Sequence, residues 1–338
     1  MRLPVQYIAL LAVFAGMTSS VALGSRRFKE FDKDGKPNLQ SRTALVVDLV
    51  TGQTLFERDA DVERPIASLS KLMGALVILS ECPLAPDGLH QMSESNRVAA
   101  KGGDHSRLTT GWKYSHRDIL HAALMRSDNR ALPALGESCG MTPSEMGQRM
   151  TARARRMGLT RTHFAEPNGL SMDNISTARE MLVILREAVK IPEVKEILGT
   201  RQFTITGYNK NGRAQRSHIP NTDRLLGRGG LEVIGGKTGY TDPARYCLAI
   251  ALRTMHGQEV GFVLLGAEGK LTRFADVTRV TRWLTRNLPT APLKDMKNGR
   301  NAAVSEIRPS GKEEPSLESN TPDIPESNGL QDEEISGG

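Results

Sequence analysis

Arg64-Pro65-Ile66-Ala67-Ser68-Leu69-Ser70-Lys71-Leu72-Met73 holds both the local fold signal and the chemistry of this chain. Pro65 disfavours helix just before it. Leu69, Leu72, Met73 and Leu76 then recur at helical spacing, which predicts a helix from about Ser68 to Ser80 with one buried stripe. Ser68 and Lys71 are three residues apart and share a face of its first turn. A serine hydroxyl is a weak nucleophile until a base removes its proton, and a neutral lysine amine one turn away can do so. The free N–H groups of a helix N-terminus suit developing negative charge. Alone, the pair equally describes a helix cap and a surface lysine.

Upstream of this helix, Ala44 to Leu49 reads as a strand, Thr51-Gly52-Gln53 as a turn and Thr54 to Arg58 as the partner strand. Downstream, residues 115–190 read mainly as helices. Thr142-Pro143-Ser144-Glu145 has an N-cap, a proline at the first position and a capping glutamate, and Met146, Met150, Ala154 and Met157 line one face before Gly158. Thr177-Ala178-Arg179-Glu180 opens another helix. Strands return after residue 230. Arg245 to Arg253 alternates Tyr246, Leu248, Ile250 and Leu252 with Cys247, Ala249 and Ala251, and His256-Gly257-Gln258 turns into Val260 to Leu265. A final amphipathic helix carries Phe274, Val277, Leu284 and Leu288. Strands, helices, then strands predict an α/β (α+β) fold: an antiparallel sheet flanked by helices, with an all-helical region inserted between its strands.

The 338 residues hold 45 Lys and Arg against 38 Asp and Glu. The excess is uneven, because residues 311–338 carry −7 and residues 25–310 carry +13. A basic body suggests a polyanionic partner without saying which. Three cysteines without a CxxC pair exclude a disulfide scaffold and a zinc ribbon. Arg2, the apolar run Tyr7–Met17 and the small residues through Gly24 have the form of a secretory signal, too short to span a bilayer. The expected organisation is a signal peptide over 1–24, a flexible arm over 25–42, one catalytic domain over 43–288 and a disordered acidic tail over 289–338. The mature protein is expected to be periplasmic, with no stable membrane anchor.

Two further motifs follow the first in order. Ser127-Asp128-Asn129 comes after a helix with its own Ser115-His116-Arg117-Asp118 cap, and Lys237-Thr238-Gly239 ends the apolar stretch from Leu231. Each is weak alone. SxxK, SDN and KTG together, in this order and on these elements, are the signature set of penicillin-binding proteins and class A β-lactamases. The flanking stretches Leu124–Ala131, Glu166-Pro167-Asn168-Gly169-Leu170-Ser171 and Phe274-Ala275-Asp276 extend the likeness from about Thr43 to Leu288. The chain resembles the low-molecular-mass penicillin-binding proteins, most of all the D-alanyl-D-alanine endopeptidases of the penicillin-binding protein 7 type.

The resemblance implies a β-lactamase/transpeptidase-like fold and assigns roles. Ser68 is the nucleophile and Lys71 the base, with its pKa lowered by burial and by the Lys237 cation. Ser127 passes a proton to the leaving amine, and Asn129 holds Lys71 and the substrate amide. Lys237 and Thr238 take the substrate carboxylate. Gly239 lets the substrate backbone approach, and the N–H groups of Ser68 and Tyr240 form the oxyanion hole. The implied partners are peptidoglycan stem peptides and β-lactams, with other cell-wall enzymes as further candidates and no nucleic acid. No metal or cofactor is implied, and no HExxH exists.

The rivals are a D-alanyl-D-alanine carboxypeptidase acting on pentapeptides, a class A-like β-lactamase and a non-catalytic cell-wall or nucleic-acid binding module. Carboxypeptidases of the group usually add a β-rich second domain and an amphipathic anchor, which favours the endopeptidase here. Glu166 has no ExxLN around it and reads as a structural loop residue. An oxidising compartment allows a bridge between Cys82 and Cys139; the alternative is three separate buried thiols, with Cys247 one of them in either case.

Overall fold

The computed structural model describes residues 29–101 and 106–287. The expected signal peptide and acidic tail lie outside the described residues. Five antiparallel strands form the main sheet, in the order β2 (Thr54–Arg58), β1 (Thr43–Asp48), β11 (Glu259–Ala267), β10 (Arg245–Thr254) and β9 (Leu231–Thr241). The central strands are buried on both faces, and the alternation along β10 shows how. Leu248, Ile250 and Leu252 pack with Phe274, Val277, Val280 and Leu284 of the last helix, α8 (Thr272–Asn287). The small side chains Cys247, Ala249 and Ala251 face the opposite way, into the larger core. There they meet α6 (Ala178–Lys190), which buries one apolar stripe, and α1 (Ser70–Glu81), which is buried on all sides from Ser70 to Ile78 where the spacing predicted a single stripe.

Between β2 and β9 the chain runs through β3 (Arg64–Pro65), α1, β4 (Leu89–Gln91), α2 (Glu94–Ala99), β5 (Lys113–Ser115), α3 (His116–His121), α4 (Ala131–Ser138), α5 (Pro143–Arg156), β6 (Ile175–Ser176), α6 and α7 (Pro192–Gly199). It then forms the hairpin β7 (Gln202–Tyr208) and β8 (Ala214–Pro220). The capping signals hold atom by atom: Thr142 accepts the Glu145 N–H while Glu145 accepts that of Thr142, and Thr177 caps α6.

Two expectations need correction. The inserted region is not all-helical, because β4, β5, β7 and β8 form a four-stranded sheet, and strands return at Gln202 rather than after residue 230. In β7 and β8 only Ile205, Gly207 and Ile219 are buried, so polar side chains mask the alternation. The arm is also ordered earlier than Thr43. Leu39 is buried among the α8 contacts, and the buried Asp276 of α8 accepts the Gln40 and Ser41 N–H groups and the Ser41 hydroxyl (2.7 Å). One leucine in a polar stretch leaves no periodic trace.

Candidate active site

Ser68 lies in a single 3₁₀ turn, Ala67–Leu69, immediately before α1 rather than inside it. Ala67 takes a left-handed φ of +50°, a conformation a non-glycine residue holds only when its surroundings impose it. Gly169 is pressed against this turn: a Cβ there would lie 1.9 Å from Ala67 O, and its own φ of +78° suits glycine. Gly239 of β9 closes the other side, where a Cβ would lie 3.1 Å from Ser68 N and 3.0 Å from Ile66 O. The two N–H groups expected to form the oxyanion hole, those of Ser68 and Tyr240, therefore flank one close backbone contact.

Lys71 is fully buried under the turn. Its Nζ donates to Ser68 Oγ (3.0 Å), Asn129 Oδ1 (2.8 Å) and the Asn168 carbonyl (2.6 Å). An ammonium group has three donors, and all three are used. Burial lowers the Lys71 pKa to about 8, against the opposing carboxylates of Glu166 and Asp128. The expected help from Lys237 is not among the causes. Lys237 is itself held well below the usual lysine range, by burial first and then by the Lys71 and Arg273 cations.

The SDN segment is positioned by a break in the helix. After α3, one π-type turn, Ala122–Arg126, ends with Ser127 at φ +62°. Asp128 pins the turn by accepting from Ser106 Oγ (2.7 Å), Arg107 N–H and Arg130 N–H (2.9 Å). Asn129 is thereby aimed at Lys71. Ser127 Oγ is buried and has no hydrogen-bond partner among the described residues.

Lys237 pairs in register with Ala249, on the α1 side of the sheet, and Thr238 pairs with Leu248. Thr238 Oγ1 donates to Thr222 Oγ1 (2.8 Å). Tyr240 is partly exposed, with its ring 4.3 Å from that of Tyr246. One open cleft of about 920 Å³ is lined by Ser68, Ser127, Asn129, Thr238, Gly239 and Tyr240, while Lys71 and Lys237 lie buried beneath its floor. All eight sequence-derived site residues thus converge, across separations of up to 172 positions.

Three contributors carried no sequence signal of their own. The Asn168 carbonyl completes the Lys71 contacts. Arg273 of α8 is nearly buried, donates to Gly239 O (3.0 Å) and stacks over Tyr246. Asp223, buried beside β9, has one carboxylate oxygen bound to the Leu225 N–H and the other unpartnered; burial pushes its pKa up to about 6. Both Glu166 oxygens are engaged by loop amides: one takes the Asn168 N–H (2.6 Å), the other those of Leu170 (2.7 Å) and Ser171 (3.1 Å).

Residues 31–269 match the family model of the D-alanyl-D-alanine carboxypeptidases, peptidase S11. The chain belongs to this serine peptidase family. Its relatives include the D-alanyl-D-alanine endopeptidases of Pseudomonas aeruginosa and Escherichia coli. The first is 33% identical over 84% of this chain and 90% of its own length, the second 34% over 74% and 78%. Among solved structures, the Streptomyces K15 DD-transpeptidase superposes with a TM-score of 0.69 at 26% identity, covering 74% of this chain and 99% of that one. The Mycobacterium tuberculosis D-alanyl-D-alanine carboxypeptidase gives 0.66 at 28%, covering 75% and 94%. The S11 fold, an antiparallel sheet flanked by helices, is the one expected, and the enzyme class is a hydrolase. Among the described residues no helix is long and apolar enough to cross a membrane.

Proposed function

We propose that this S11 peptidase is an exported, periplasmic endopeptidase that cuts D-alanyl–meso-diaminopimelate cross-links of peptidoglycan through an acyl-enzyme on Ser68. The observation that carries the reading is the reach of one buried amine, Lys71 Nζ, to both the Ser68 hydroxyl and Asn129. Neutral Lys71 takes the Ser68 proton as Oγ attacks the D-alanyl carbonyl, and the N–H groups of Ser68 and Tyr240 hold the oxyanion. Collapse breaks the amide bond; Ser127 hands a proton to the departing amine, and water then hydrolyses the ester. Asn129 orients Lys71 and the donor amide. Lys237, Thr238 and the nearby Arg273 receive the carboxylate beside the scissile bond. The same serine acylates with β-lactams. Because both Glu166 oxygens bind loop amides, that acyl-enzyme hydrolyses slowly.

Digestion of cross-linked muropeptide dimers and of monomeric pentapeptides, with products separated by mass, tests the reading. Dimers are expected to yield monomers faster than pentapeptides lose D-alanine. Ser68→Ala should abolish both reactions and all covalent labelling by a fluorescent penicillin. Shortening of pentapeptides alone would make the enzyme a carboxypeptidase, and labelling that survives Ser68→Ala would remove Ser68 from the nucleophile role.

A further inference from the structure

The cleft extends well past Ser68, and its far wall carries charges that the acylation chemistry does not use. Its volume of about 920 Å³ is near the top of the range for ligand sites, ~300–1,000 Å³, and far exceeds what one leaving alanine fills. Beyond Thr238 the wall is built by Arg201 and by the segment 221–228 between β8 and β9. This segment is firmly seated. Asn221 N–H donates to Arg201 O (2.9 Å), Thr222 N–H to Met125 O (3.0 Å), and Leu225 is fully buried in the core beneath α8. With Leu225 as the anchor, Arg224 and Arg228 stand exposed at the rim. The Arg201 side chain lies over Gly227, where a Cβ would sit 3.4 Å from its Nη1.

Six cations line the cleft (Arg126, Arg201, Arg224, Arg228, Lys270 and Arg273) against one carboxylate, Asp223. Among the described residues, none of Arg201, Arg224 and Arg228 makes an ion pair, and Arg228 feels Asp223 only at longer range. Several arginines elsewhere are neutralised: Arg149 and Arg156 share Glu81, Arg179 pairs with Glu57 and Asp61, and Arg253 with Glu232 and Glu259. Like charges gathered on one wall repel, and an entering anion relieves that repulsion. Guanidinium forks match carboxylates in geometry.

We propose that Arg201, Arg224 and Arg228 form a subsite that reads carboxylates on the leaving half of a cross-linked stem peptide. The inference rests on the endopeptidase reading above. Besides the carboxylate beside the scissile amide, which Lys237 and Thr238 take, that leaving half carries two more: the α-carboxylate of its D-glutamate and the C-terminal carboxylate of its own D-alanine. A single leaving D-alanine has neither. The arginine wall thus favours cross-links over pentapeptide ends, and free over amidated cross-links.

The test uses two synthetic dimers, identical except that these two carboxylates are primary amides in one. The purified protein digests both in competition, with active sites counted by penicillin labelling. The expected kcat/KM ratio, carboxylate over amide, is at least about tenfold. It should fall toward one in Arg201→Gln/Arg224→Gln/Arg228→Gln and partly recover in the corresponding triple lysine variant. Should the triple variant not fold, single Arg224→Gln and Arg228→Gln changes at exposed side chains carry the same comparison. A wild-type ratio near one overturns the subsite and leaves the endopeptidase standing. A ratio unchanged by the glutamine variants overturns the assignment to these arginines. Digestion of pentapeptide but of neither dimer overturns the endopeptidase reading, and the subsite with it.

Discussion

As the proposed base, Lys71 should set the pH dependence of the reaction. With a pKa of about 8, about a tenth of the molecules hold it neutral at pH 7. The second-order rate of acylation by a penicillin should therefore rise with pH through about 8 and level off above it. Glu166 raises the Lys71 pKa, so Glu166→Gln should move this limb to lower pH. A limb that does not move would mean that Lys71 is not the group titrating. Stability follows the same linkage. Below about pH 8 Lys71 is charged in both folded and unfolded chains, and its burial penalty is fully present. Between about 8 and the ordinary 10.5 the folded protein has lost the proton and the unfolded chain has not, so stability rises with pH. Denaturant unfolding at pH 7 and pH 10 should show a gain in wild type that exceeds the gain in Lys71→Met by about 2–3 kcal/mol.

Among the elements, α1, which follows the Ser68 turn, is tied at its far end. Cys82, which closes α1, is bonded to Cys139 at the end of α4, so the bridge is present and only Cys247 is a free thiol. The closed loop spans 57 residues, for which chain entropy allows up to about 4 kcal/mol. Cys82→Ser/Cys139→Ser should lower the thermal midpoint by about 10 °C. Alkylation of unfolded protein without reductant should add one label, at Cys247, whose thiol burial holds at about 11 in the native state; three labels would exclude the bridge. Helices α5 and α6 were legible because capping residues and 3.6-residue stripes are local signals. The β7–β8 hairpin was not, because its exposed faces carry Thr, Gln and Arg and its pairing with β5 is remote in sequence.

At the scale of the whole molecule, α8 completes the domain from the outside. Leu284 is its last buried side chain among the described residues, so a chain ending at Asn287 should melt within about 2 °C of the full chain and cleave muropeptides at an unchanged rate. Ending it at Lys270 removes Phe274, Val277, Val280 and Leu284 from the sheet and should abolish cooperative melting. The fold class, α1, α5, α6, the β10–β11 hairpin and the eight residues that meet at the cleft could all be named in advance. Period, capping and motif order reside in neighbouring residues, and the family resemblance joined the three motifs. Folding added what depends on distant residues meeting. Gly169 meets Ala67 at the turn that carries Ser68, and the Asn168 carbonyl accepts the third Lys71 N–H. Asp276 secures Ser41, and Arg201 stands beside the segment 221–228. The depression of the Lys71 pKa belongs here too, because desolvation is set by what packs around a charge, and no spacing along the chain encodes it.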